Sequence, residues 1–325
     1  MKDLYCDQKL PPLAEQACSA EAMQRLKHVN MNCGMNYTSF SLFVSMDSYT
    51  RYEHSVGTAK LIYSFTRDDV QTLAGLFHDI ATPVFSHVVD FLQGDHMEQE
   101  TTEAKTEGFI QRDHVIASLL EQYGIGSAAV SDYHQYPIAD NDSPQLSCDR
   151  LEYTFGNMVN YGFAQEALVK ELRNDLVIAE NEYGIKELQF QTPERALAFA
   201  QLALRCGTIY SSDENRYAME YLAQLLKRAI GLQILTAEDL YGTEERVIQM
   251  LEQSPLKSDW QTFCRFCRIV PGTPEDGLNL NAKRRYIDPL IAGQGRVTDR
   301  YPSFREAVLQ FKEESYDRWL KGVGQ

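Results

Sequence analysis

Val70-Gln71-Thr72-Leu73-Ala74-Gly75-Leu76-Phe77-His78-Asp79-Ile80 is the stretch on which the reading of this chain turns. Val70, Leu73, Ala74 and Phe77 fall at i, i+3, i+4 and i+7, so the segment predicts a helix with one apolar face running into His78. A charged aspartate at the end of so apolar a run is costly unless it is paired or bound to a cation. Neighbouring helical residues point about 100° apart, so a His-Asp pair at a helix edge can reach one metal ion. Imidazole and carboxylate together suit zinc or a transition metal. The dipeptide alone is a weak signal, because a pair capping a helix C-terminus looks the same.

Working outward, the helical period dominates. Val115, Leu119 and Leu120 start a second apolar face before Gly124, a helix stop. Residues 196–204 and 217–232 are rich in strong helix formers, and Phe304 to Leu320 predicts a final amphipathic helix. Strand signals are few. Phe263 to Val270, then Arg284 to Ile291 beyond the turn-like Pro271-Gly272, predict a small hairpin or sheet. The expected fold is therefore an all-α core with a small mixed α/β C-terminal part. No internal repeat is visible. The texture changes most near residue 160, giving an expected division into 1–160, carrying the site, and 161–325, a helical extension completing the core.

The 325 residues suffice for a sizeable core, and 44% hydrophobic with 24% charged residues is ordinary globular composition. A formal net charge of −15 argues against broad nucleic-acid or anionic-membrane binding. A small anionic substrate is still allowed, since a metal or a local cation cluster can reverse the potential. No run of about 18 apolar residues occurs and the N-terminus lacks a signal-peptide core, so a cytoplasmic location is expected. Seven scattered cysteines, including the lone pair Cys264 and Cys267, read as reduced thiols rather than a disulfide framework or zinc site.

Of seven histidines, four lie between residues 54 and 96. His54 can supply a third metal ligand, one helix before His78-Asp79, and Asp149 a fourth. The ordered segments Arg51-Tyr52-Glu53-His54-Ser55-Val56-Gly57, Gly75-Leu76-Phe77-His78-Asp79-Ile80, Pro83-Val84-Phe85-Ser86-His87 and Asp149-Arg150-Leu151-Glu152-Tyr153 resemble the HD superfamily of metal-dependent phosphohydrolases. They look most like the branch of deoxynucleoside triphosphate triphosphohydrolases, whose motifs read like R-F-E-H-S-L-G and H-D-I-G-x-P-P-F-S-H. The likeness covers roughly residues 20–160. It implies a helical HD bundle and four ligands, His54, His78, Asp79 and Asp149, to one divalent ion, which could be Mn, Fe, Ni, Co, Zn or Mg. It implies hydrolysis of a nucleotide, first a deoxynucleoside triphosphate, through a water activated by the metal. Homo-oligomers are also usual in such a family. A nucleotidase or phosphatase for another ester, a non-catalytic nucleotide sensor and a plain helical interaction protein remain alternatives.

His87 and Asp90 share a helix face at i, i+3, so Asp90 can orient an imidazole that donates to phosphate or moves a proton. The resemblance implies such a role for both, and a phosphate contact for His96, although an exposed histidine fits that polar stretch almost as well. Asp149, Tyr153 and Asn157 share a face. Arg51, Tyr153 and Tyr210 are the expected substrate contacts, with Arg205 a weaker one that reads more simply as a surface residue. Two departures stand out: Thr82 occupies the place of a second histidine found in many triphosphohydrolases of the branch, and Ala81 replaces a glycine. The run Lys283-Arg284-Arg285 reads as a solvated surface strand that could alternatively reach a phosphate tail. His28, His114 and His134 have no evident partners.

Overall fold

The computed structural model describes residues 4, 5, 7–44, 46–89 and 105–324. The principal helices are α1 (Arg51–Thr66), α2 (Asp69–Phe77), α3 (His114–Tyr123), α4 (Cys148–Asn160), α5 (Pro193–Tyr210), α6 (Asp213–Gly231), α7 (Glu244–Glu252), α8 (Lys257–Arg265) and α9 (Pro302–Glu313). The protein is mainly helical with a small α/β part, and no helix among the described residues is long and apolar enough to cross a membrane.

Local chemistry sets the ends of the helices that carry the site. Thr50 and Glu53 form a capping box at the start of α1, and α1 closes at Arg67 in the left-handed region. Asp68 then caps α2 through the amides of Val70 and Gln71. Everything from Thr72 to Phe77 is buried, so this helix is held by packing on all sides. Gly75 lets it lie close to α1, because a Cβ there would meet Ile62. Ser147 caps α4, placing Asp149 in its first turn.

Two small sheets flank the helices. In one, β1 (Leu176–Glu180) pairs antiparallel with β2 (Lys186–Phe190), β2 runs parallel to β5 (Leu290–Ile291), and β5 pairs with β6 (Gly295–Arg296). In the other, β7 (Trp319–Gly324) lies between β3 (Phe266–Pro271) and β4 (Leu278–Asn279). The two expected strand segments therefore join different sheets instead of pairing with each other, and the β1–β2 hairpin lies outside the strand signals read from sequence. The expected last helix stops at Glu313, because the backbone turns extended at Glu314 and the glycine-containing 319–324 segment completes a sheet beside β3. On α3 the apolar face is Ile116, Leu119 and Leu120, while Val115 is 41% exposed beside the cap.

Residues beyond 160 pack directly onto the site's surroundings. Val84, Phe85 and Val88 share a core with Ala218, Leu222 and Phe263. Phe85 and Ser86 both have positive φ, 58° and 51°. The turn is held from outside: Glu244 accepts from the Phe85 amide at 3.2 Å, the Asn30 amide at 3.0 Å and side chain at 2.7 Å, and the Tyr37 hydroxyl at 2.7 Å.

Candidate metal centre and its cavity

His54 lies within α1, while His78 caps the C-terminus of α2 with Asp79 in the turn that follows. Each imidazole uses Nδ1 on an acceptor: His54 on the Glu152 carboxylate, His78 on the Gly75 carbonyl at 2.7 Å. Both partners accept at those atoms, so each Nδ1 carries a proton, and the two Nε2 atoms face each other, 3.1 Å apart. Asp149 Oδ1 is 3.0 Å from His54 Nε2 and 3.6 Å from His78 Nε2. Asp79 Oδ2 is 3.7 and 3.6 Å from the same nitrogens.

Two imidazole nitrogens and the Asp149 carboxylate, all within 4.8 Å of one another, make a set that could hold a metal ion. The surroundings fit that use. Nδ1–H bonds to a carboxylate and to a carbonyl are what fix metal-ligating histidines in orientation and tautomer. Two buried imidazole nitrogens 3.1 Å apart, each within 3.6 Å of the Asp149 carboxylate, favour a cation between them, whether a proton or a metal ion. The donor set of nitrogen and carboxylate oxygen suits a divalent transition ion or zinc.

Buried charge around the cluster is balanced. Asp79 is held by Arg51 Nη1 at 2.8 Å and by the Thr82 hydroxyl at 2.7 Å, and Arg51 Nε donates to Ser86 at 3.0 Å. Burial would raise the Asp79 pKa, but Arg51 and the two imidazoles hold it well below the usual carboxylate range. Burial likewise works to lower His54, yet the Glu152 and Asp149 carboxylates push it up to about 10. Glu152 also accepts from the Tyr49 hydroxyl, and burial raises its own pKa.

The cluster opens into a cavity of about 330 Å³. Arg51, His87, Tyr153 and Tyr210 all line it, whereas Arg205 does not and instead stacks 3.8 Å over Phe163. Asp90 and His96 fall outside the described residues. The Tyr153 ring is 6.4 Å from that of His54 and 6.3 Å from that of Tyr210, and Asn157 donates to the Tyr210 hydroxyl at 2.8 Å. Asn157 Oδ1 is buried and has no hydrogen-bond partner among the described residues.

Several cavity residues were not expected. His134 does have partners, Asp132 Oδ1 and Asp140 Oδ2, each at 3.2 Å, and it lines the cavity beside Tyr133, whose ring is 4.9 Å from that of His78. No sequence spacing links residues 78, 134 and 140, so only the fold could reveal this. Lys283 and Arg285 also face the cavity, where a solvated strand had been the simpler expectation. The available signal was their spacing, two apart on an extended stretch and therefore on one side of it. His28 pairs with Glu245 at 3.2 Å, away from the site. The six cysteines among the described residues form no disulfide.

The HD domain family model matches residues 51–139, a stretch that includes Arg51, His54, His78, Asp79 and His87 and ends before Asp149. Over 98% of its length the chain is similar to YdhJ, an uncharacterized protein of Bacillus subtilis, at 24% identity across 96% of that protein. It is 30% identical to the metal-dependent phosphohydrolase cns2 of Cordyceps militaris over 152 residues, covering 47% of this chain and 42% of cns2. A 100-residue stretch is 30% identical to the uncharacterized protein MJ1154 of Methanocaldococcus jannaschii, covering 29% of this chain and 20% of that protein. The match to the HD domain thus falls on residues 51–139, the stretch around which the histidine and aspartate cluster is gathered.

Proposed function

We propose that this protein is a metal-dependent phosphohydrolase acting on a nucleotide, with a deoxynucleoside triphosphate as the first candidate substrate. The observation that carries the reading is the convergence of His54 Nε2, His78 Nε2 and Asp149 at the foot of a cavity of about 330 Å³. That volume is in the range of small-molecule sites. Similarity to the phosphohydrolase cns2 supports the reaction class. The resemblance of the first two motifs to the triphosphohydrolase branch supports the substrate.

A divalent ion held by His54, His78, Asp149 and Asp79 would neutralise phosphoryl charge and acidify a water molecule. The chain's own residues have separate tasks. Glu152 and the Gly75 carbonyl keep the two imidazoles with Nε2 inward. Arg51 and Thr82 fix both oxygens of Asp79. Tyr153 and Tyr210 offer ring surface and hydroxyls to a sugar or base. Asn157 Oδ1, without a partner among the described residues, is an acceptor that a sugar hydroxyl would satisfy. His87, on the cavity wall, is assigned the delivery of a proton from its imidazole to the departing ester oxygen, with Asp90 orienting it.

The test is elemental analysis of the purified protein, then assay with Mn²⁺ against deoxynucleoside triphosphates, nucleoside triphosphates and monophosphates, beside H78A and D79A. Triphosphate release that both variants lose is the expected result. Orthophosphate release from monophosphates would retain the metal-dependent chemistry but make the protein a nucleotidase. Bound metal without turnover of any ester would overturn catalysis in favour of sensing, and absence of bound metal would overturn the whole reading.

A further inference from the structure

The cavity has a second charged wall. Lys283 and Arg285 line it, carried by residues 280–289, which run without regular secondary structure between β4 and β5. In extended chain, residues two apart face the same way and the one between faces the other. Arg284 follows that rule: its guanidinium bonds the Glu314 carbonyl and lies 4.3 Å over the ring of Tyr316.

This segment is fixed along its length. Arg216, itself buried, bonds the carbonyls of Leu280 and Tyr316, pairs with Asp213 and stacks 4.5 Å over the other partner of Arg284, Tyr316. The carbonyl of Arg285 rests against α5 at Gly207, where any Cβ would collide with it. Three residues on, the Asp288 amide donates to the Pro144 carbonyl at 2.9 Å. The backbone under the two cations is thus held by α5, α6 and the stretch before α4.

The two cations share the cavity with the metal-ligand cluster, and the rings of Tyr153 and Tyr210 line it with them. Burial raises the Tyr153 pKa and the positive charge of Arg285 opposes that rise, in keeping with a guanidinium close to the phenol. An anion extending from the cluster across this chamber would meet the two cations on its far wall.

We propose that Lys283 and Arg285 form a second anion subsite, so that the substrate is a phosphate ester bearing a further phosphoryl or comparable anionic group beyond the one at the metal-ligand cluster. The inference rests on the reading that a phosphate ester occupies this cavity.

Orthophosphate and pyrophosphate, with Mn²⁺ in excess in cell and syringe, are titrated calorimetrically into the wild type, K283Q and K283Q/R285Q. Thermal melting and metal content are checked for each. Charge-assisted contacts predict a wild-type preference for pyrophosphate of roughly tenfold or more. The double variant abolishes that preference while orthophosphate binding stays within about twofold, and K283Q alone falls between, so misfolding of the double variant would not end the test. Equal weakening of both anions, which is what neutralising the cavity's own carboxylates would produce, overturns the subsite, and so does no change in either. Because binding is read without turnover, a protein inert toward every ester but keeping the preference would contradict the proposed catalysis and still support the subsite.

Discussion

The hydroxyl of Thr82 donates to Oδ1 of Asp79 at 2.7 Å while Arg51 Nη1 holds Oδ2 at 2.8 Å, so both oxygens of this carboxylate are engaged from behind. Thr82 stands where many triphosphohydrolases of the resembled branch have a histidine. Here it acts on the orientation of Asp79 and does not present an imidazole to substrate. Replacing Thr82 with valine removes the hydroxyl at nearly constant shape. Metal affinity is expected to fall roughly tenfold, with T82S close to wild type. Titration of the metal-free proteins with Mn²⁺ reads the difference, and an unchanged T82V would show that Asp79 needs no such support.

Glu152 does the corresponding work for His54. E152Q keeps the volume but places an amide beside Nδ1–H and the Tyr49 hydroxyl, both donors. Metal affinity is expected to drop about 10- to 100-fold. G57A should reproduce the defect from the other side, because a Cβ at residue 57 would strike the Glu152 carboxylate. Metal content after dialysis, measured for both variants, checks the pair.

Removing metal should weaken the fold as well as the site. The cluster joins α1, α2 and α4, so an ion binding only the folded state stabilises it by about 2.7 kcal/mol at a hundredfold excess over Kd. A melting curve is expected to shift downward on chelation and to recover with Mn²⁺ or Zn²⁺. H54A and H78A should show neither the shift nor the recovery.

Glu244 is expected to matter for stability far more than for chemistry. It is fully buried and accepts four hydrogen bonds, from both polar groups of Asn30, from Tyr37 and from the Phe85 amide. Truncation in E244A strands those donors and should cost roughly 3 kcal/mol or more in denaturant unfolding. E244Q, which can still accept at one oxygen, should cost less.

His54, His78 and Asp149, which fold into a set that could hold a metal ion, could be picked out from sequence with their neighbour Asp79 because such chemistry demands particular residue types and the HD motif fixes their order. Tyr49 and Glu152 act one contact further out, where a carboxylate beneath a histidine looks like any helical glutamate. His134 gained its meaning only when folding brought Asp132, Asp140 and the cavity around it. The helices at Asp69–Phe77, His114–Tyr123, Pro193–Tyr210 and Asp213–Gly231 were legible because apolar period and caps are local. Strand pairing was not, since β3 chooses β7 across a long stretch of chain and β5 is only two residues long. Lys283 and Arg285 looked solvated for a related reason: alternation tells which residues share a side, but not what that side meets.

The left-handed pair at Phe85 and Ser86 has a consequence for how the protein is made. Two successive non-glycine residues in that region cost of order 1–3 kcal/mol each, and the carboxylate that ties down the Phe85 amide lies 159 residues further along the chain. The ribosome delivers His54, His78 and Asp149 early, at about 5–20 residues per second, and the residue that secures the wall beside them much later. A nascent chain shorter than 244 residues therefore carries the whole histidine and aspartate cluster without the clasp that shapes its chamber, so the chamber is completed only after most of the protein has been synthesised.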